Sequence, residues 1–394
     1  METTHRFGWI PDYPDFRDYT ERTPSVREIL VPTGIALPAD EVVPDADEGN
    51  VRTSRVGADA ARTESGRKRE EKQGGKIARG MTEEIMGGND GTPDNGRKMR
   101  KLGVDSLPPA VSLRPHCSPV EDQRGLGSCT AQAGAGVIEY YERRAFGRHI
   151  DASRLFLYKV TRNLMKMKGD TGAYLRTTMG AMVLFGVPPE EYWPYTDSDD
   201  KFDREPPAFC YSFAQNYKTI QYYRHDPPNG SRSDVLLRVK TYLAAGHPSM
   251  FGFTVYSSIE AADERGAIPF PSERDRILGG HAVVAVGYDD NIEIRNPSAG
   301  KPEGNGATSD GAGSRGGGRK GGRATAGRRS ASGPASRGSA AATTGALLIR
   351  NSWGRDWGDG GYGWLPYKYI EAGLAEDFWS VLKKDWIDTG AFNV

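Results

Sequence analysis

The stretch Gln123-Arg-Gly-Leu-Gly-Ser-Cys129 sets a thiol six residues after an amide, on a glycine-rich turn leading into a helix-forming segment. Further on come Gly279-Gly280-His281-Ala-Val-Val-Ala-Val-Gly-Tyr288 and Asn351-Ser-Trp353-Gly-Arg-Asp-Trp357-Gly-Asp-Gly-Gly-Tyr362. A thiol, an imidazole and an amide in this chain order are the parts of a cysteine hydrolase. Only the thiolate attacks a carbonyl efficiently, and a thiol at pH 7 is mostly protonated. Cys129 at the first turn of a helix gains thiolate character from the positive end of the helix dipole. His281 is expected to take the thiol proton and return it to the leaving amine. Asn351 is expected to hold the imidazole by accepting from its second nitrogen, with Trp353 shielding that bond from water. The backbone N–H of Cys129 and the side-chain amide of Gln123 are the expected donors to the oxyanion.

The elements that must carry these groups change character along the chain. Apolar residues recur at helical spacing over 129–146, and residues 153–166, 174–186 and 234–245 also read as helices. Later segments are short, apolar or alternating runs bounded by Gly, Asp or Pro: 249–256, 280–288, 292–295, 346–351 and 362–365. Helices first and antiparallel strands later predict an α+β fold with two lobes.

Two tracts have no place in a packed core. Residues 44–106 are polar, charged and Gly-rich, and read as a flexible linker, with one possible helical turn at Thr82–Met86. Residues 297–343 are Gly/Ser/Ala/Arg-rich without an aromatic, and read as a long insertion at the tip of a hairpin formed by 292–294 and 346–349. Residues 1–43 form an N-terminal arm. Its Phe7, Trp9, Tyr13, Phe16 and Tyr19 are too many rings to leave in water, so 6–20 is expected to dock on the domain at 107–394.

Lys+Arg and Asp+Glu are both 52, so global charge nominates neither nucleic acid nor a membrane as partner. No run of eighteen apolar residues is present, and the N-terminus lacks a basic-then-apolar secretory pattern. Cys117, Cys129 and Cys210 have no framework spacing, which points to a reducing, cytoplasmic setting. His116, His149, His225 and His247 carry no ligand spacing, so neither a metal nor a cofactor is expected.

At the three blocks the sequence resembles the papain-like (C1 papain/cathepsin-type) cysteine peptidases. Leu126-Gly-Ser-Cys129-Thr130 stands at the family's nucleophile signature, with Gln123 at its oxyanion glutamine. His281 sits in a Gly-His-Ala-Val context, and Asn351-Ser-Trp-Gly matches the asparagine block. Leu107–Arg114 and Ser118–Gln123 resemble the start of the mature domain. Gly169-Asp-Thr-Gly172-Ala173-Tyr174 resembles the wall of the substrate groove, and Tyr192-Trp-Pro-Tyr195 a later landmark. The Phe7–Tyr19 segment and the lack of family disulfides resemble the bacterial and archaeal branch.

The resemblance implies a helical left lobe carrying Cys129 and an antiparallel, barrel-like right lobe carrying His281 and Asn351. It implies peptide hydrolysis through a thioester, with Gly172, Ala173, Gly280, Trp353 and Trp357 lining the groove. Several positions depart from the pattern. Leu126 and Asp170 replace a pair of half-cystines, Thr130 replaces an aromatic, and Ala173 replaces a glycine, which is expected to hold substrate main chain further off. Two other functions stay open at this point: a non-hydrolytic papain-like scaffold that binds peptides, and a nucleic-acid-associated protein acting through the Arg/Gly tract. A peptide or protein substrate, and the chain's own arm, are the expected partners.

Overall fold

The computed structural model describes residues 5–35, 107–218, 221–297 and 342–392. The expected linker at 44–106, with its turn at Thr82–Met86, and residues 298–341 of the insertion lie outside the described residues. The described residues fall in one compact unit.

In chain order the elements are α1 (Pro24–Leu30), β1 (Ala110–Ser112), α2 (Cys129–Phe146), α3 (Arg154–Leu164), α4 (Leu175–Leu184), α5 (Ala208–Ala214), β2 (Gln221–Arg224) and α6 (Arg232–Ala244). They continue with β3 (Ser249–Tyr256), β4 (Ile277–Ile294), β5 (Thr343–Arg350), β6 (Tyr362–Pro366), α7 (Lys368–Glu371), β7 (Ala375–Leu382) and α8 (Lys384–Ile387). The fold is α+β and papain-like: helices dominate the first half and an antiparallel sheet the second.

Helix α2 is the central element. It starts at Cys129 and stops at Gly147, whose φ of 71° forms a left-handed cap. Every residue from Cys129 to Tyr141 is buried. That is possible because the face is built of Ala131, Ala133, Gly134, Ala135 and Gly136, which let neighbours approach closely. α3 and α4 pack on one side of α2 and β4 on the other. The helix is thus the seam between the lobes, and its first residue emerges where they meet.

The sheet has seven strands in the order β2-β7-β3-β4-β5-β6, with β1 also on β4. Aliphatic and aromatic residues fill β3 and β4, and Ala346, Leu347, Leu348 and Ile349 fill β5, so their central parts are buried on both faces. β4 is one 18-residue strand that joins the separately expected runs 280–288 and 292–295, with a register break between Asp289 and Glu293. Its far end pairs Glu293 with Thr344 and Ile294 with Thr343, so the insertion leaves from and returns to adjacent strands. The residues 346–349 pair instead with Asp289, Tyr288, Gly287 and Ala285. Strands β1, β2 and β7 and helix α5 have too short or too mixed a pattern to stand out in the sequence.

Candidate active site

The turn before α2 is held from both lobes. Gln123 is buried, its backbone N–H donates to the Ser352 carbonyl at 2.8 Å, and its Oε1 accepts from Ser352 Oγ at 2.6 Å. With the oxygen so engaged, the amide nitrogen faces the other way, donating to Leu126 O at 2.9 Å and Arg6 O at 2.8 Å. Asp170 Oδ1 accepts from Gly127 N at 2.9 Å and from the Tyr158 hydroxyl at 2.6 Å. Where the resemblance pairs half-cystines, a carboxylate therefore stitches the turn to the groove wall, while Leu126 packs with Leu155 and Phe202.

His281 lies on β4 opposite Phe253. Its Nε2 is 2.8 Å from Asn351 Oδ1, which also accepts Ser352 N–H at 2.8 Å. A side-chain carbonyl only accepts, so Nε2 carries the proton and Nδ1 offers a lone pair. That Nδ1 is buried and makes no hydrogen bond among the described residues. Trp353 stacks on the imidazole at 4.7 Å, and Trp357 meets Trp353 edge-on at 5.5 Å, one ring further out. Backbone groups of Ala282, the residue after His281, and of Gly8 lie close enough to the Cys129 sulfur to favour its thiolate. Gln123, Ser352, Asn351 and His281 are thus linked across the two lobes, and Cys129 opens the helix that follows the Gln123 turn.

Their ionisation differs from the expected thiolate. Burial pushes the Cys129 thiol up to about 11, against these backbone groups, which favour the thiolate. Burial likewise pulls His281 down to about 4, against the Asn351 bond. Cys129 and His281 are both 0% exposed, so neither charged form is solvated and the proton stays on sulfur.

The N-terminal arm causes this burial. Residues 5–10 run through the site. Trp9 N donates to Gly280 O at 3.0 Å, Ala173 N to Gly8 O at 2.7 Å, and Ile10 N to Ala173 O at 3.1 Å, a one-residue parallel ladder. Ala173 therefore does not hold main chain away, contrary to the expectation from its extra methyl. Gly8 lies flat on the turn: a Cβ there would sit 1.8 Å from Gly127 O, and one on Gly172 would sit 2.3 Å from Gly8 O. His5 stacks on Trp353 at 5.6 Å, and Phe7 meets both His281 and Trp353 edge-on at 6.1 Å.

The rest of the arm is a strap. Tyr19 O accepts from Arg224 N at 2.7 Å, Glu21 pairs with Arg238 at 2.9 Å, and Val26 and Leu30 are completely buried. Arg176 holds Asp18 at 2.8 Å and Asp12 at 3.3 Å. Of the five rings expected to be covered, only Phe7 and Trp9 are. Tyr13 and Phe16 are 85% and 89% exposed, and Tyr19 47%. Charge pairs and main-chain bonds hold 12–21, so its rings are not needed for docking.

The sequence reading missed two supporting residues. Ser352 links Gln123 to Asn351, as described above. Arg350 reaches from β5 to the central helix, donating to Ser118 Oγ at 3.0 Å and Pro119 O at 2.9 Å, with Ser118 bonded in turn to Glu139. Both flank Asn351 in sequence, and that adjacency was the available signal. Among the described residues Glu121, Glu139 and Asp151 bring carboxylate oxygens within 4.8 Å of one another. Arg154 lies 2.8 Å from Glu121, and Ser118 and Ala152 N serve Glu139, so protein donors already occupy two of the three.

No family model matches the chain. It is 29% identical over 285 residues to an uncharacterised peptidase C1-like protein of Acanthamoeba polyphaga mimivirus, covering 71% of this chain and 74% of that protein. Among solved structures it is similar to xylellain, a cysteine protease from Xylella fastidiosa, at 26% identity and a TM-score of 0.56 over 96% of each chain. All three cysteines are free. Among the described residues no helix is long and apolar enough to cross a membrane. In its fold and in the relatives it matches, the chain is similar to the papain-like cysteine peptidases of the C1 type.

Proposed function

We propose that the chain is an endopeptidase working through Cys129, His281 and Asn351, and that residues 5–10 keep it latent. In this reading the Cys129 sulfur attacks the scissile carbonyl while its proton passes to His281 Nδ1. The tetrahedral oxyanion is held by the Cys129 N–H and the Gln123 amide. Collapse breaks the C–N bond, the amine leaves with the proton from His281, and water activated by the same imidazole hydrolyses the thioester. Asn351 keeps Nδ1 aimed at sulfur throughout. Gly172, Ala173 and Gly280 supply main-chain partners to the substrate, and Trp353 and Trp357 wall the site.

The observation that carries the reading is the carbonyl of Arg6 on the Gln123 amide, 2.8 Å away. A main-chain carbonyl sits on the donor that a substrate oxyanion needs, and the adjoining backbone already lies in the groove as a peptide. Latency follows from the same contact, because the site is filled and its thiol is neutral. Activation then requires only that 5–10 leave, since 12–35 belongs to the folded core. Three free thiols, and a buried histidine pair that disfavours acid, suit a reducing compartment near neutral pH such as the cytoplasm.

The test is hydrolysis of small fluorogenic peptides and covalent labelling by an epoxide thiol reagent, in wild type and in a full chain whose plug is loosened by Gly8→Ala. Cys129→Ala should abolish both, and Cys117→Ala and Cys210→Ala neither. Labelling at Cys129 without any peptide cleavage would favour the peptide-binding scaffold instead.

A further inference from the structure

Trp9 fills a pocket whose composition goes beyond what holding the arm requires. The indole lies flat against two glycines. A Cβ on Gly252 would come within 1.9 Å of Trp9 Cε2, and one on Gly280 within 2.9 Å of Trp9 Cε3. At the inner end the indole N–H donates to Asp377 Oδ2 at 3.1 Å. Asp377 is completely buried and held at a φ of 65°, a left-handed conformation uncommon for a residue other than glycine. Its other oxygen accepts from Trp379 Nε1 at 2.6 Å, and Arg224 lies 3.1 Å away on the same carboxylate. Asp226 in turn bonds Arg224 at 3.0 Å and accepts the backbone N–H of Asp377 at 2.8 Å and of Phe378 at 2.9 Å.

The carboxylate is thus fixed from three sides, and among the described residues Oδ2 accepts only from the Trp9 indole. When the plug leaves, that oxygen loses its protein partner, and an apolar side chain entering the pocket shuts out water and leaves it unpaired. A site built around a hydrogen bond rejects an analogue that lacks the donor far more strongly than it rejects a missing methylene. Arg224 is shared between Asp377 and Asp226, and burial disfavours charge on Asp377, pushing its carboxyl up to about 7, so a neutral N–H suits the pocket better than a second cation. The flat floor over Gly252 selects for a planar ring.

We infer that the groove of this enzyme recognises substrates by a tryptophan side chain seated over Gly252 and Gly280 with its indole N–H on Asp377, and that Trp9 of the arm occupies this pocket as the substrate's stand-in. The inference rests on the proposal that the arm fills the substrate groove.

The test uses the full chain carrying Gly8→Ala and synthetic peptides of residues 5–11 that keep glycine at position 8. One peptide has Trp at position 9, one has 3-benzothienylalanine, the same bicyclic shape with sulfur in place of N–H, and one has Arg. Protection of Cys129 from alkylation reads binding without needing catalysis. The tryptophan peptide should protect at a concentration about tenfold or more below the benzothienyl peptide, the usual scale for one hydrogen bond to a charged group. It should also outbind the arginine peptide. In Asp377→Asn the tryptophan advantage should shrink. Equal protection by the tryptophan and benzothienyl peptides, stronger protection by arginine, or no protection by any of them overturns the inference. Selective protection by tryptophan in a chain that cleaves no peptide would uphold the pocket and defeat the peptidase mechanism instead.

Discussion

The side-chain amide of Gln123 donates to the main-chain carbonyl of Arg6, 117 residues earlier, at 2.8 Å. The bond places the first residues of the chain against the group expected to stabilise the transition state. Arg6 Nη1 is also 3.1 Å from Asp170, the carboxylate that braces the turn before Cys129. One residue of the arm therefore touches both the candidate oxyanion donor and its support.

Gln123 should matter to turnover and little to folding. Gln123→Ala, measured with the plug displaced, is expected to lower kcat by about 10² to 10³, the usual effect of one oxyanion donor. KM should change far less. Its Oε1 and backbone bonds to Ser352 make Ser352→Ala the control: the amide loses its orienting partner but keeps its donor, so a smaller loss is expected. A Gln123→Ala enzyme within threefold of the parent would remove this side chain from the mechanism.

Gly8→Ala should release latency without unfolding the protein. The added methyl would meet the Gly127 carbonyl at 1.8 Å, and overpacking of this kind costs on the order of 1–3 kcal/mol, or roughly five- to 150-fold in plug occupancy. Alkylation of Cys129 should accelerate by about that factor, while the thermal midpoint should hold because Val26 and Leu30 stay buried. A chain beginning at Val104 is a poor substitute. It loses the strap along with the plug, uncovers the core those residues pack on, and is expected to be insoluble.

Plug displacement should also move the pH dependence of the thiol. Covered, Cys129 titrates near 11 and His281 near 4, both because burial disfavours charge. Alkylation of the latent chain should therefore be slow and still rising above pH 9. Once water reaches the pair, the thiolate and imidazolium stabilise each other, and the rise should move to a lower pH. Identical profiles for wild type and Gly8→Ala would mean that the arm does not control ionisation.

Stability should fall in acid through two histidines far from the chemistry. His225 and His247 are completely buried. Burial holds His247 down to about 3 and His225 well below the ordinary value. Both are neutral in the fold and protonate near 6.5 when unfolded. Their neutral burial costs nothing above that value. As pH falls below it the unfolded chain takes up protons that the fold refuses, and stability drops by about 1.4 kcal/mol per pH unit for each histidine until the folded value is reached. The thermal midpoint should decline steadily from pH 6.5 downward, and His247→Gln should make that decline shallower. A flat midpoint down to pH 5 would contradict the assignment.

Residues 300–340 should be dispensable. Ile294 and Thr343 are paired across β4 and β5, so a short Gly/Ser linker closes the hairpin with little strain. Hydrolysis of small peptides and the thermal midpoint should both be retained. Loss of either would give the tract a structural or groove-lining part.

The sequence alone determined the order and kind of the longer elements and named the candidate site residues. Helix α2 was legible because apolar spacing and a closing glycine are local signals, and β3 because an apolar run between breakers is one too. Cys129, His281, Asn351 and Gln123 were legible because each stands in a short motif whose order matches a known chemistry. What lay beyond reach depended on contacts between distant residues. Ser352 and Arg350 act through partners more than two hundred positions away, and nothing local marks them. The ionisation of Cys129 is another such case. The helix N-terminus favours a thiolate, but desolvation outweighs it once the arm lies over the site. The arm itself divided in a way no periodicity encodes: a plug made possible by the missing side chain of Gly8, and a strap held by Arg176, Arg224 and Arg238. Local propensity reports on neighbours in sequence, whereas burial and charge pairing are properties of the closed fold, so only the tertiary structure decided whether this site stands open or covered.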